Sequence, residues 1–140
     1  MAQMLEFLGN HAFLATAAGV IIALIIANEI KLRNRGFKDI DPTEAIRLMN
    51  DGALVLDMRN PELYRAGHII NAENVTLEQL QQDSGKILKD TDKPVIAYCD
   101  AGMIGSRAAL LLSRAHKSGV YNLKGGMTNW KRENLPVSRD

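Results

Sequence analysis

The chain has 140 residues, room for one compact domain and an appendage, and its 46% apolar and 24% charged content excludes wholesale disorder. Residues 36–140 carry as many acidic as basic side chains, so there is no electrostatic footprint for nucleic acid as a partner. A single cysteine, Cys99, excludes an intramolecular disulfide framework and a CxxC metal pair, and it fits a reducing compartment.

From Phe7 to Asn28 no residue carries a formal charge, and Ala12 to Ala27 reads AFLATAAGVIIALIIA. As a helix, this stretch rises ~33 Å, enough to cross a hydrocarbon core of ~30 Å. A body of about 100 residues has little capacity to enclose a helix that is apolar on every face. No Lys or Arg precedes the run and no small-x-small cleavage site follows it, which argues against a signal peptide. Lys31, Arg33, Arg35 and Lys38 come directly after it, and basic flanks stay on the cytoplasmic side. The expected arrangement is a short outer amino terminus over 1–11, a transmembrane helix over 12–30 within a span of about 7–30, and a basic juxtamembrane linker over 31–37. The lipid bilayer is thus an expected partner, and the basic cluster can touch its anionic headgroups.

In the remainder, strand-like runs alternate with helical patterns. Asp41-Pro42-Thr43-Glu44 provides a cap, a proline at the first helical position and a glutamate spaced for a capping box, ahead of Ala45, Ile46, Leu48 and Met49. Asp51-Gly52 stops that helix. Ala53 to Asp57 (ALVLD) is a short continuous apolar run, the pattern of a strand buried on both faces. Asn60-Pro61-Glu62 starts a short helix that Gly67 ends, residues 68–75 hold a small strand, and a helix covers Thr76–Gln82. Pro94–Tyr98 is the second buried strand, Ile104–His116 a long helix stopped by Ser118-Gly119, and Val120–Leu123 the third strand. Gly125-Gly126 turns into a last helix carrying Trp130. Strands separated by helices imply right-handed crossovers and a parallel sheet covered on both faces.

Cys99 ends the second buried strand, and Asp100, Ala101, Gly102, Met103 and Ile104 lead into the long helix. Ligands of open α/β sheets bind outside the carboxyl ends of strands. A loop curled there can aim backbone N–H groups inward, stabilising a thiolate and holding an anionic substrate. A buried structural thiol is the other reading, and spacing alone favours neither.

Three blocks together resemble the rhodanese family of sulfurtransferase domains. Val55-Leu56-Asp57-Met58-Arg59-Asn60-Pro61-Glu62-Leu63-Tyr64-Arg65-Ala66-Gly67-His68-Ile69 is similar to the family's DxR…E(F/Y)…GHI run. Tyr98-Cys99-Asp100-Ala101-Gly102 is followed by Ala108, Ala109 and Leu112, and Val120–Trp130 (VYNLKGGMTNW) by Leu135-Pro136-Val137. With the preceding span, the chain resembles membrane-anchored, single-domain bacterial members. The resemblance implies a three-layer α/β domain over 38–138, a small, mostly parallel sheet flanked by helices, preceded by one transmembrane helix. It also implies a single-pass protein of the bacterial inner membrane with this domain in the cytoplasm.

On the same resemblance, Cys99 is the nucleophile, taking a sulfane sulfur from a small donor and passing it to a thiol acceptor. The loop residues 100–104 supply the substrate-binding amides, and no metal or organic cofactor takes part. Active thiosulfate enzymes of the family commonly carry Arg or Lys near the loop's end. Here Met103 and Ile104 stand in that stretch, and Arg107 either contacts substrate or faces solvent. An apolar loop suits a low-charge persulfide donor or a protein partner better than thiosulfate. Phosphatases on related folds use C-x₅-R, but Gly105 occupies the arginine position. Asp57 and Arg59 are expected to pair and organise neighbouring loops, and His68 to be a hydrogen-bonded structural residue. Trp130 packs on the core or borders the site. Two other readings remain open: an interaction module acting near a membrane-protein partner, and redox sensing through Cys99.

Overall fold

The computed structural model describes residues 1–88, 92–101, 103–116 and 119–139; Gly102 and Ser118 lie outside the described residues. Two units emerge, 1–35 and 36–140. The first holds helix α1 (Ala2–Asn10) and helix α2 (Ala12–Arg33), separated where His11 leaves helical geometry (φ −125°, ψ 42°). None of α2's residues is buried, and the helix is long and apolar enough to cross a membrane. It continues through Lys31 and Arg33, whose charges complement the helix's carboxyl end.

The second unit begins with β1 (Lys38–Ile40), a strand that the sequence pattern does not announce. It has three residues, two of them charged, and only Ile40 is buried, so no period-2 signal exists to read. Its existence follows from pairing with a longer, apolar neighbour. Helix α3 (Pro42–Asn50) starts as expected, with Asp41 Oδ1 accepting the Glu44 amide at 2.9 Å. Glu44 does not close a capping box; its carboxylate pairs with Arg47 one turn on. β2 (Leu54–Asp57) leads to α4 (Pro61–Ala66), capped by Asn60 Oδ1 on the Leu63 amide. The expected strand within 68–75 shrinks to β3 (Glu73–Asn74). Helix α5 (Leu77–Ile87) opens on a reciprocal Thr76/Gln79 capping box. It does not stop at Gln82: the backbone breaks at Asp83, whose carboxylate caps the next turn through the Lys86 amide. β4 (Val95–Tyr98), α6 (Met103–Ala115), β5 (Val120–Leu123) and α7 (Gly126–Arg132) complete the unit.

The five strands pair in parallel in the order β1-β5-β4-β2-β3, with β4 at the centre. Alternation along β4 divides the core. Val95, Ala97 and Cys99 face a cluster with Leu56, Leu80, Ala108, Ala109 and Leu112 beneath α5 and α6. Ile96 and Tyr98 face Ile69, Met127 and Trp130 on the α7 side. Burying each large apolar side chain contributes ~1.5–3 kcal/mol. The buried residues of α6, Gly105, Ala108, Ala109 and Leu112, recur at helical spacing and are mostly small, so the helix lies close on β4 and β5. Trp130 is core, its Nε1 donating to the Pro136 carbonyl at 2.9 Å.

The strand order places the site. From β2 the chain moves outward to β3, whereas from β4 it continues to β5 on the other side. Crossovers leaving in opposite directions open a crevice outside the carboxyl ends of β2 and β4. Arg59 follows one of those ends and Cys99 the other.

Candidate active site at the carboxyl end of the sheet

Cys99 is 4% exposed and lies in the apolar cluster under α5 and α6, at the head of the loop entering α6. How the loop is held follows from two hydrogen bonds. The Met127 amide donates to the Cys99 carbonyl at 2.8 Å, and the Thr128 amide donates to the Asp100 carbonyl at 3.0 Å. Both carbonyls therefore point toward α7. In a trans peptide the N–H points opposite to the C=O, so the amides of Asp100 and Ala101 turn away from α7. That is the face of the sheet on which the Cys99 side chain lies. The first-turn amides of the thirteen-residue α6, which lack partners within the helix, follow directly.

This arrangement depends on Gly126. Its φ is +54°, and a Cβ there would sit 2.1 Å from the Cys99 carbonyl oxygen and 2.9 Å from the Asp100 carbonyl carbon. The Gly125-Gly126 pair is therefore more than a turn, because it brings α7 against the backbone of the loop. Gly126→Ala is expected to destabilise the fold by ~3 kcal/mol or more, through left-handed strain and backbone collision. Urea unfolding checks this against Gly85→Ala, whose added methyl meets nothing within 4 Å. Equal midpoints for the two variants would contradict the role given to Gly126.

On the β2 side, Asp57 is fully buried, and its carboxylate is saturated. Oδ1 accepts the Arg59 amide at 2.9 Å and Nε at 3.0 Å; Oδ2 accepts Arg59 Nη2 at 2.8 Å and the Tyr98 hydroxyl at 2.7 Å. The expected Asp57–Arg59 pair is thus present and holds more than two loops. Arg59 Nη2 also donates to the Gly67 carbonyl at 2.6 Å, and Nη1 lies 3.5 Å from Asp100 Oδ1, linking the loop after β2 to the loop after β4. Asn74 Nδ2 bridges the carbonyls of Asp57 and Arg59. Burial opposes the guanidinium's charge, but hydrogen bonding and attraction to Asp57 prevail and raise its pKa above the usual arginine value. Burial first, and the Asp57 charge second, push the Tyr98 phenol well above its ordinary range. Tyr98 therefore remains a donor to Asp57 while its oxygen accepts the Ile69 amide at 3.1 Å.

The remaining candidates separate. Asp100, Ala101, Met103 and Ile104 are exposed on the loop, with Met103 79% and Ile104 43% accessible. Arg107 is exposed on α6. His68 is buried, stacked on Tyr64 at 3.8 Å between ring centroids, with Nδ1 2.8 Å from the Tyr64 carbonyl oxygen. Its backbone bridges to Ser138, so it ties the carboxyl terminus to the body. At position 105 a Cβ would fall 2.4 Å from Asn122 Oδ1 and 3.4 Å from the Tyr98 Cα, leaving no room for the arginine of a phosphatase cradle. Among the described residues no group of three or more His, Cys, Asp and Glu side chains is placed to hold a metal ion.

Two contributions have no motif signature: the Tyr98 hydroxyl and the α7 amides. A hydroxyl within a fully buried strand must find a partner, and that requirement was the available signal for Tyr98.

The fold, a five-stranded parallel sheet flanked by helices with a cysteine-headed loop at the carboxyl end of its central strand, is that of a small α/β domain. Residues 41–133 match the model of the rhodanese-like domain, and the chain belongs to that family. It is 32% identical over 141 residues to the uncharacterised YibN of Escherichia coli K12, covering 99% of each chain. It is 34% identical over 95 residues to the thiosulfate sulfurtransferase GlpE of Pseudomonas entomophila, covering 68% of this chain and 85% of that one. The crystal structure of a rhodanese-related protein from Thermoplasma volcanium aligns at TM-score 0.67 and 26% identity, over 74% of this chain and 100% of that chain.

Proposed function

We propose that this chain is a membrane-tethered sulfur carrier that holds a persulfide on Cys99 and passes its outer sulfur to a thiol. The observation carrying this is the cysteine at the head of a loop whose first two amides turn to its side of the sheet. The family and its thiosulfate sulfurtransferase relatives agree with it. Cys99 attacks the outer sulfur of a donor R–S–SH; the new S–S bond forms on Cys99, and RS⁻ leaves with the electron pair and takes up the cysteine's proton. Nothing is oxidised or reduced overall, and no cofactor is consumed. Inward amides stabilise the negative sulfur in both the thiolate and the persulfide. Near-complete burial of Cys99 limits its contact with bulk water.

The donor follows from charge. Residues 100–106 contain no Lys or Arg, whereas Met103 and Ile104 present apolar surface. A charge-assisted contact is worth ~1.5–3 kcal/mol, so lacking one weakens thiosulfate binding roughly ten- to hundredfold. Loading followed with ³⁵S-labelled outer sulfur should therefore be faster from an alkyl hydropersulfide than from thiosulfate at equal concentration. Uptake from neither would favour the second reading. That reading is an interaction module held near a membrane-protein partner, and the exposed Met103 and Ile104 speak for it.

The tether rests on α2, a 22-residue helix with no buried residue and basic residues in its last turn. The basic flank supports a topology with the domain in the cytoplasm and the amino terminus outside the inner membrane. In a Cys99→Ser background, Gln3→Cys should react with an impermeant maleimide added to intact cells, and Gln82→Cys only after permeabilisation. The reverse pattern would overturn the orientation.

A further inference from the structure

Apolar surface is unevenly spread over residues 36–140. Among the described residues there, the large apolar side chains that stand exposed are Leu63, Ile70, Met103, Ile104 and Leu110, and three of the five lie on α6. The helix buries Gly105, Ala108, Ala109 and Leu112 against the sheet, which sets Met103, Arg107, Leu110 and Arg114 on its opposite side at helical spacing. Apolar and cationic side chains alternate along that outer stripe, and α6 contains no Asp or Glu. Among the described residues neither Arg107 nor Arg114 has a carboxylate within ion-pair distance. Exposed carboxylates begin on α5, with Glu78 and Asp83, so the favourable charge is confined to α6. Apolar side chains interleaved with arginines match the two layers of a membrane interface, the acyl boundary and the phosphates above it.

The covalent path of the chain is a second, independent observation. Phe37 is buried in the cluster beneath α5 and α6, and Gly36 packs so closely on α6 that a Cβ there would fall 2.9 Å from Ser113 Oγ. The chain thus enters the domain on the flank of α6, beside Arg114. Only residues 34 and 35 separate Gly36 from the end of α2, a reach of about 11 Å even when fully extended. With α2 across a bilayer, that reach keeps α6 near the headgroups.

We propose that the outer face of α6 docks on the anionic leaflet of the membrane that α2 crosses. Arg107 and Arg114 meet lipid phosphates, while Met103, Ile104 and Leu110 enter the headgroup boundary. The inference rests on the membrane-tether reading. Apolar side chains alone would serve a protein partner as well; two cations without an acidic neighbour on the helix, and so short a tether, favour lipid. Met103 and Ile104 also end the loop that Cys99 heads, so docking holds that loop at the lipid surface.

Environment-sensitive NBD probes on single cysteines test it, in the full-length Cys99→Ser chain reconstituted in lipid nanodiscs. Met103→Cys carries a probe on the docking face, ~15 Å along α6 from Ser113, too far for the tether alone to dry it. In discs of equal parts phosphatidylglycerol and phosphatidylcholine its emission should shift to the blue and be quenched by shallow-doxyl lipid. Both signals should be lost in phosphatidylcholine alone. In Arg107→Gln/Arg114→Gln the ratio of dry to wet lifetime components should fall about thirtyfold, the size that two charges contribute at such a surface. Lys131→Gln/Arg132→Gln removes the same charge from α7, on the other side of the sheet, and should leave the ratio unchanged. A Met103 probe that stays wet in anionic discs, or responds equally in both lipids, would overturn the docking face. Drying only in inverted native membrane vesicles would overturn it in favour of a membrane-protein partner. A probe on Val20→Cys, within α2, reads the tether separately. Quenching there in every disc beside a wet Met103 sinks the docking face alone, whereas an unquenched Val20 sinks the span and the docking with it.

Discussion

Cys99→Ser is expected to abolish sulfur uptake while leaving the chain folded. The hydroxyl fits the same nearly enclosed space, so the amides set by Met127 and Thr128 stay where they are. A serine oxygen at neutral pH neither ionises nor forms a stable bond to sulfane sulfur, so transfer stops rather than slows. Placing a hydroxyl in the apolar cluster costs ~1–3 kcal/mol, less than the stability of an ordinary domain. Urea unfolding and ³⁵S uptake on the same preparation separate the two effects. Residual uptake above a few per cent of wild type would place the sulfur elsewhere in the chain.

The second large effect is on stability. Arg59→Met is expected to cost ~3–5 kcal/mol, the usual consequence of leaving a buried charge without its partner. Asp57 is fully buried, and four of its hydrogen-bond contacts come from Arg59. The backbone amide of residue 59 and the Tyr98 hydroxyl survive the substitution, but neither carries charge. Adding Asp57→Asn removes the stranded carboxylate and should recover more than about 1 kcal/mol relative to Arg59→Met alone. The double-mutant cycle from denaturant midpoints gives the coupling directly. Additive losses in that cycle would mean that the pair is not a single buried unit. Arg59→Met also frees Asp100, so sulfur loading should slow beyond what the unfolded fraction explains.

Much of this fold is legible in the sequence for identifiable reasons. β2, β4 and β5 are continuous apolar runs, since a central parallel strand is covered on both faces. α3 and α4 carry Asp-Pro and Asn-Pro starts, whose caps form within one turn and need no tertiary context. β1 is illegible because its signal belongs to its partner: Lys38 and Asp39 form a strand only because β5 offers them a ladder. The break in α5 at Asp83 is local chemistry of another kind, a carboxylate restarting a helix that seven residues had appeared to complete.

The site divides along the same line. The position of Cys99 at a strand end follows from the apolar run before it and the small residues after it. The direction of its loop amides does not, because it is imposed by α7 from nearly thirty residues further along the chain. The glycines at 125 and 126 are visible in the sequence, but their reason is the oxygen atom they face. Likewise the missing basic residue of the loop is evident from Met103 and Ile104.

The most direct measurement is the mass of the intact full-length chain after exposure to an alkyl hydropersulfide, followed by mapping of the peptide that carries residue 99. The account predicts a gain of one sulfur atom per chain, located on Cys99 and removed by mercaptoethanol. An unchanged mass with every donor, under conditions where the chain is folded, would contradict it.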